Sequence, residues 1–165
     1  MSQERESARG HTGLPLRVIP LAAGACGACA QAVAALGAPR YAQSLREQGI
    51  EFVAAPRHAN IILMTGAMTR KASGEVLRYL DGIPEPRVIV AVGDCAINGG
   101  VFSGSPDLVT SAAEEVDAHV EIGGCPPAPE AIITAIGEAA RLLIEPEESG
   151  ETDETGADET EEPAE

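Results

Sequence analysis

Two apolar runs constrain the fold of this chain more than any other feature of its sequence. Residues 60–65 read Asn-Ile-Ile-Leu-Met-Thr and residues 87–92 read Arg-Val-Ile-Val-Ala-Val. Neither alternates with polar residues. A strand with one wet face alternates at period two, whereas a continuous apolar run is covered on both faces, the condition of a parallel sheet between helical layers. Shorter apolar runs at 16–20, 50–54 and 118–122 add three candidate strands. Helix-permissive segments lie between them at 30–36, 41–48, 69–80 and 130–143, with a weaker one at 107–116. Val76, Leu77 and Leu80 share one face of the third. Gly37, Pro39, Gly49, Gly66 and the turn Asp81-Gly-Ile-Pro-Glu-Pro86 punctuate the pattern. The expected fold is α/β: a flavodoxin-like open parallel sheet of four to five strands with helices on both faces. With two Tyr, two Phe and no Trp, the core must be built from Ala, Val, Ile and Leu.

Charge divides the chain. Of a formal net charge of −15, residues 145–165 carry nine Glu and two Asp and no basic residue. The remaining residues hold 15 acidic and 11 basic side chains, a balance of −4. The acidic segment has no apolar periodicity and cannot offset its ordering entropy, so a disordered tail is expected at 145–165. An unstructured N-terminus is expected at 1–13 and one α/β domain at 14–144. Without a basic stripe, nucleic-acid binding through phosphates is not expected. No apolar run approaches the roughly 20 residues of a bilayer helix. No apolar segment follows a basic start at the N-terminus, so no secretory signal is read. The expected location is the cytoplasm, peripheral on the membrane through partners.

The four cysteines are Cys26, Cys29, Cys95 and Cys125. Each follows the C-terminal end of a candidate strand, and in a parallel sheet those ends share one edge, where ligands bind. Three loops distant in sequence should therefore bring four thiols to one place. All three are glycine-rich: Gly24 and Gly27; Gly93, Gly99 and Gly100; Gly123 and Gly124. Four converging thiolates suit an iron–sulfur cluster or zinc. A thioredoxin-type pair would use Cys26 and Cys29 but leaves Cys95 and Cys125 without a role. Inert buried cysteines remain the plain alternative. Structural zinc usually draws on two C-x-x-C knuckles and only one is present, which favours a single [4Fe–4S] cluster over a zinc-stabilised interaction module.

Four segments carry a family resemblance. They are Cys26-Gly-Ala-Cys29; Pro56-Arg-His-Ala-Asn-Ile-Ile-Leu-Met-Thr-Gly66; Ile83-Pro-Glu-Pro-Arg-Val-Ile-Val-Ala-Val-Gly-Asp-Cys-Ala-Ile-Asn-Gly-Gly-Val-Phe102; and Gly124-Cys-Pro-Pro-Ala-Pro-Glu-Ala-Ile132. With them the chain resembles, over about residues 16–143, the small (B-type) iron–sulfur subunit of respiratory complex I and of the energy-converting [NiFe] hydrogenases. The resemblance implies one [4Fe–4S] cluster held by Cys26, Cys29, Cys95 and Cys125, and a subunit that passes electrons without making bonds. It implies a large-subunit partner of hydrogenase or complex I type, with ferredoxin-like and membrane subunits as further candidates. In hydrogenases the cluster is proximal to the [NiFe] site of that partner; in complex I it lies next to quinone. Complex I subunits resemble one another in a Cys-Cys pair at the first site, so Cys26-x-x-Cys29 places this chain nearer the hydrogenases. His58 and Gly93-Asp94-Cys95 point the same way. Gln31 and Gly123-Gly124-Cys125-Pro126 depart from the hydrogenase pattern, which often has an acid and Pro-Gly-Cys-Pro at these places.

Other polar residues have plainer readings. His11 falls in the N-terminal segment, His119 opens a strand, and Glu85 sits in a turn. Arg57, His58 and Arg70 are candidates for partner contact. No paired carboxylates, Ser/His/Asp arrangement or phosphate loop is present.

Overall fold

The structure, a computed structural model, describes residues 15–24, 26–109 and 111–144. The segments expected to be unstructured, 1–13 and 145–165, lie outside the described residues, as does His11. Among the described residues five strands, β1 (Leu16–Gly24), β2 (Ile50–Phe52), β3 (Ile61–Gly66), β4 (Val88–Val92) and β5 (Val120–Ile122), form one parallel sheet in the order β2-β1-β3-β4-β5. This is the flavodoxin-like order. The helices are α1 (Ala28–Ala35), α2 (Pro39–Glu47), α3 (Arg70–Asp81), α4 (Asp94–Asn98), α5 (Ala112–Glu115) and α6 (Pro129–Ile144).

The continuous apolar strands are explained by two cores. Ile61, Leu63, Val88, Val90 and Val92 face α1, α2 and α6. Their chain neighbours Ile62, Met64, Ile89 and Ala91 face α3, α4 and α5. Each side chain goes to the opposite face from the last, and both faces are dry. Helix α6 lays Ile132, Ala135, Ile136, Ala139, Ala140 and Leu143 on this first core, a helical stripe at spacings of three and four. Its alanines leave no bulk to hold the helix off the sheet. Helix α3 is fixed at its start by Thr69, whose hydroxyl accepts the Ala72 N–H at 3.1 Å. Val76 and Leu80, four apart, bury its inner face.

Three details differ from the sequence pattern. β1 runs on to Gly24 because Ala22 and Gly24 pair with Thr65 and Gly66 of β3, with a register shift between them. The loop expected between Gly93 and Gly100 contains α4, so Cys95 sits on a helical turn. The helix expected over 107–116 shrinks to α5, whose start is fixed by Ser111 accepting the Glu114 N–H at 3.0 Å. Among the described residues no helix is long and apolar enough to cross a membrane.

Candidate metal centre

The first pair of cysteines follows β1. Cys26 is exposed. Gly27 then turns the chain through a left-handed conformation, φ 88°, and starts α1. A side chain there would meet nothing within 4 Å, so the requirement is conformational rather than spatial. Cys29 lies in the first turn of α1 and is buried, beside the inward-facing Ala32 and Val33.

Cys95 follows β4. Gly93, φ 91°, swings the chain from β4 into α4. A Cβ on Gly93 would stand 2.6 Å from Cys29 Sγ and 3.1 Å from the Gly124 carbonyl oxygen. The loops after β1, β4 and β5 therefore meet at this glycine, and the missing side chain is the space the Cys29 sulfur uses. Gly100, φ 51°, does the same for Cys95: a Cβ there would lie 3.0 Å from Cys95 Sγ. Cys95 itself is buried.

Cys125 follows β5 and is exposed. Its loop is sewn to the Cys95 loop. Gly93 N–H donates to the Ile122 carbonyl at 2.7 Å, and Asp94 N–H to the Gly124 carbonyl at 3.1 Å. In return, Gly124 N–H donates to Asp94 Oδ1 at 2.6 Å.

The electrostatics link the same four groups. Burial pushes the Cys29 thiol up, and Cys95, Cys125, Cys26 and Asp94 add to the rise as neighbouring negative charges. Cys95 is raised first by burial, then by Cys125 and Cys26, against a lowering by the Val101 N–H. Thiolates here repel one another, so the donor set calls for a compensating cation. Among the described residues, no three His, Cys, Asp or Glu side chains are gathered as ligands of one metal ion. A cubane cluster takes one thiolate at each of four iron corners, so it accepts sulfurs set wider than a single ion does. The residues present fit such a cluster: four thiols, and glycines that yield space to two of them.

The other residues singled out in the sequence do not join this group. His58 and Arg57 are exposed on the short 3₁₀ turn Pro56–His58. Arg70 fastens a loop, its Nε donating to the Pro106 carbonyl at 3.0 Å. His119 is exposed, and its Nδ1 accepts the Ile89 N–H at 3.3 Å. Glu85 accepts the Arg87 N–H at 2.9 Å and pairs with its guanidinium at 3.2 Å, a turn fastening. Gln31 is exposed on α1. An open groove of about 730 Å³ between α2 and β2, lined by Leu36, Leu45, Ile50 and Phe52, contains none of the cysteines. Sequence reasoning missed one contact near the site. The Tyr41 hydroxyl donates to Glu130 Oε1 at 2.5 Å, joining α2 to the start of α6, five residues after Cys125. No local pattern relates two residues 89 positions apart.

Comparison with known proteins shows the family. The sequence model of the family described as NADH ubiquinone oxidoreductase, 20 Kd subunit, matches residues 26–139, a span that includes all four cysteines. The chain is 37% identical over 126 residues to the B subunit of the NADH-quinone oxidoreductase of Clostridium beijerinckii, covering 76% of this chain and 73% of that one. It is 33% identical over 137 residues to the probable membrane-bound hydrogenase subunit mbhJ of Pyrococcus furiosus, covering 79% and 81%. Among solved structures, a chain of the membrane-bound sulfane sulfur reductase, an archaeal respiratory membrane complex, superposes with a TM-score of 0.69 at 24% identity, covering 88% of this chain and 77% of that one. A chain of an NAD+-reducing [NiFe]-hydrogenase superposes at 0.57 with 22% identity, covering 78% and 92%. At these identities the two structures speak to the fold alone. By the span of the family match and the identity to its curated relatives, this chain belongs to the NADH ubiquinone oxidoreductase 20 Kd subunit family, whose relatives are named as subunits of quinone-reducing and hydrogenase complexes.

Proposed function

We propose that this chain is an electron-transfer subunit that holds one [4Fe–4S] cluster through Cys26, Cys29, Cys95 and Cys125. The observation that carries this reading is the meeting of three strand-end loops at Gly93, with the Cys29 sulfur seated where a side chain would otherwise be. When bound, the cluster supplies a one-electron carrier. The chain supplies the rest. Gly93 and Gly100 yield space to two sulfurs, Asp94 ties the second loop to the third, and both cores hold the strand ends in place. Cys29 and Cys95 are buried while Cys26 and Cys125 are exposed, so the site has an inner and an outer side. Val101, 80% exposed, and Phe102, 44% exposed, stand next to it as bare apolar side chains. An open, apolar rim of this kind suits coverage by a large-subunit partner, and through it peripheral association with a membrane complex.

The Cys26-x-x-Cys29 spacing favours a hydrogenase-like complex, with the cluster proximal to a [NiFe] site in the large subunit. A second reading, a complex I-type B subunit next to quinone, is favoured by the 37% identity to its NADH-quinone oxidoreductase counterpart from Clostridium beijerinckii. The large subunit's sequence separates them: two C-x-x-C pairs support the first, their lack the second.

Anaerobic purification followed by metal and acid-labile sulfide analysis tests the assignment. A brown protein with four iron and four sulfide per chain is expected, with loss of both when any one of the four cysteines is changed to Ala. A colourless chain holding zinc contradicts it and returns the zinc-stabilised module. Iron-free protein with redox activity surviving Cys95→Ala and Cys125→Ala returns a thiol–disulfide carrier using Cys26 and Cys29.

A further inference from the structure

The arm that carries Cys125 into α6 has little of its own to hold it. Three of the five residues from Cys125 to Pro129 are proline and have no N–H to donate. Of the five, only Pro127 is buried. Each proline fixes its own φ, so the arm is stiff and its position is set from its two ends. At one end Asp94 Oδ1 accepts the Gly124 N–H at 2.6 Å. At the other, the buried Tyr41 donates its hydroxyl to Glu130 Oε1 at 2.5 Å. Tyr41 belongs to the same unit as Cys29. The N–H groups of Leu36, Gly37 and Ala38 return to the carbonyls of Val33, Ala34 and Ala35 at 3.0–3.1 Å. Those of Tyr41 and Ala42 then return to the Ala38 carbonyl at 2.9 Å, so α1 passes into α2 without a slack link. The Arg40 guanidinium lies over the Tyr41 ring, 4.3 Å from its centre, and helps to fix it.

We propose that Tyr41 is a positioning residue for Cys125: through Glu130 it clasps the arm bearing the third-loop cysteine to the helical unit bearing Cys29. The inference rests on the four-cysteine cluster reading. Cys125 is exposed, so it is a corner at which solvent reaches the site. For its sulfur to withdraw, the arm must swing out in a local opening, and the hydrogen bond to Glu130 breaks in that opening. Tyr41 acts on Cys125 only through Glu130 and the proline arm. The Asp94–Gly124 pair ties the second loop to the third, and Tyr41–Glu130 ties the first to the third. The loops of the site are thus closed into a ring by two clasps, one beside the sulfurs and one at the far end of the arm.

The test is the rate at which the full chain, loaded anaerobically and reduced with dithionite, yields iron to an excess of a ferrous chelator. Tyr41→Phe removes the hydroxyl and keeps the ring. It should release iron faster by about tenfold, where the ordinary and the charge-assisted hydrogen-bond ranges meet. Thr69→Ala is the control: it loses a cap hydrogen bond of comparable worth on the opposite face of the sheet, and should release iron with wild type. In a Glu130→Ala background the hydroxyl has no acceptor, so adding Tyr41→Phe should change nothing further. The inference is overturned if Tyr41→Phe releases iron with wild type, if Thr69→Ala is as fast as Tyr41→Phe, or if Tyr41→Phe accelerates release equally with and without Glu130. A Tyr41→Phe chain that is folded by circular dichroism yet purifies without iron is the limit of the expected result. One that is unfolded overturns the inference, since the bond then serves the fold at large. A wild-type chain that holds no iron overturns the cluster reading itself, so the two failures are distinguishable.

Discussion

Asp94 and Gly124 exchange two hydrogen bonds across the site: the Asp94 N–H donates to the Gly124 carbonyl at 3.1 Å, and the Gly124 N–H donates to Asp94 Oδ1 at 2.6 Å. One residue thus positions the loop bearing Cys95 against the loop bearing Cys125. Its carboxylate also adds to the negative field that raises Cys29 and Cys95. Position and charge can be separated. Asp94→Asn keeps an acceptor for Gly124 and should keep iron and sulfide near wild-type content. Asp94→Ala loses a charge-assisted hydrogen bond worth about 1.5–3 kcal/mol and should lower both the iron content and the midpoint of thermal unfolding. Iron analysis and calorimetry of the two variants check this.

Gly93 and Gly104 offer a matched pair. Both have positive φ, 91° and 82°, so a side chain at either costs strain of about 1–3 kcal/mol. They differ in space. At Gly93 a Cβ meets the Cys29 sulfur at 2.6 Å, while at Gly104 it meets nothing within 4 Å. Gly93→Ala should abolish cluster absorbance; Gly104→Ala should lose less stability and keep the cluster. Visible absorbance and urea unfolding of both variants test the difference.

The Tyr41–Glu130 contact predicts a pH effect. The Tyr41 hydroxyl holds the Glu130 carboxyl below its ordinary range. Glu130 therefore contributes stability that is present above the ordinary carboxylate range and lost as pH falls through its depressed value. Tyr41 itself is raised, first by this hydrogen bond, so its contribution is present below the ordinary tyrosine range and lost as pH rises through the raised value. Tyr41→Phe should remove the tyrosine step and shrink the Glu130 step, the rest of which comes from the Glu130 backbone N–H and from Arg40. Urea unfolding as a function of pH, wild type against Tyr41→Phe, reads them out.

The division of the chain at residue 145 gives a fourth prediction. Residues 145–165 carry eleven acidic side chains and fall beyond the family match, which ends at residue 139. A chain ending at residue 144 should keep the iron content and the EPR spectrum of the full chain. Loss of the cluster on truncation contradicts the division.

The readability of this fold from its sequence follows the physics of each element. β3 and β4 are legible because both faces are dry, which forces an unbroken apolar run. The meeting of the three cysteine-bearing loops is legible for a topological reason: parallel strands end on one edge. The extension of β1 through Ala22 and Gly24 is not, because small residues carry no strand signal and the pairing with Thr65 and Gly66 decides it. Helix α4 is five residues between two glycines, too short to show a period. The role of Gly93 as space for the Cys29 sulfur depends on loops brought together from 64 positions apart, whereas Gly100 serves Cys95 within one loop. Composition marks these glycines as a group; only the fold says which sulfur each one faces.

The central claim is that four cysteines on three loops hold one [4Fe–4S] cluster. EPR of the anaerobically purified full chain, reduced with dithionite, tests it most directly. The predicted result is a cluster signal integrating to one electron spin per chain, lost in Cys26→Ala, Cys29→Ala, Cys95→Ala and Cys125→Ala alike. A wild-type chain that gives no signal after reduction and holds zinc, or no metal, contradicts it.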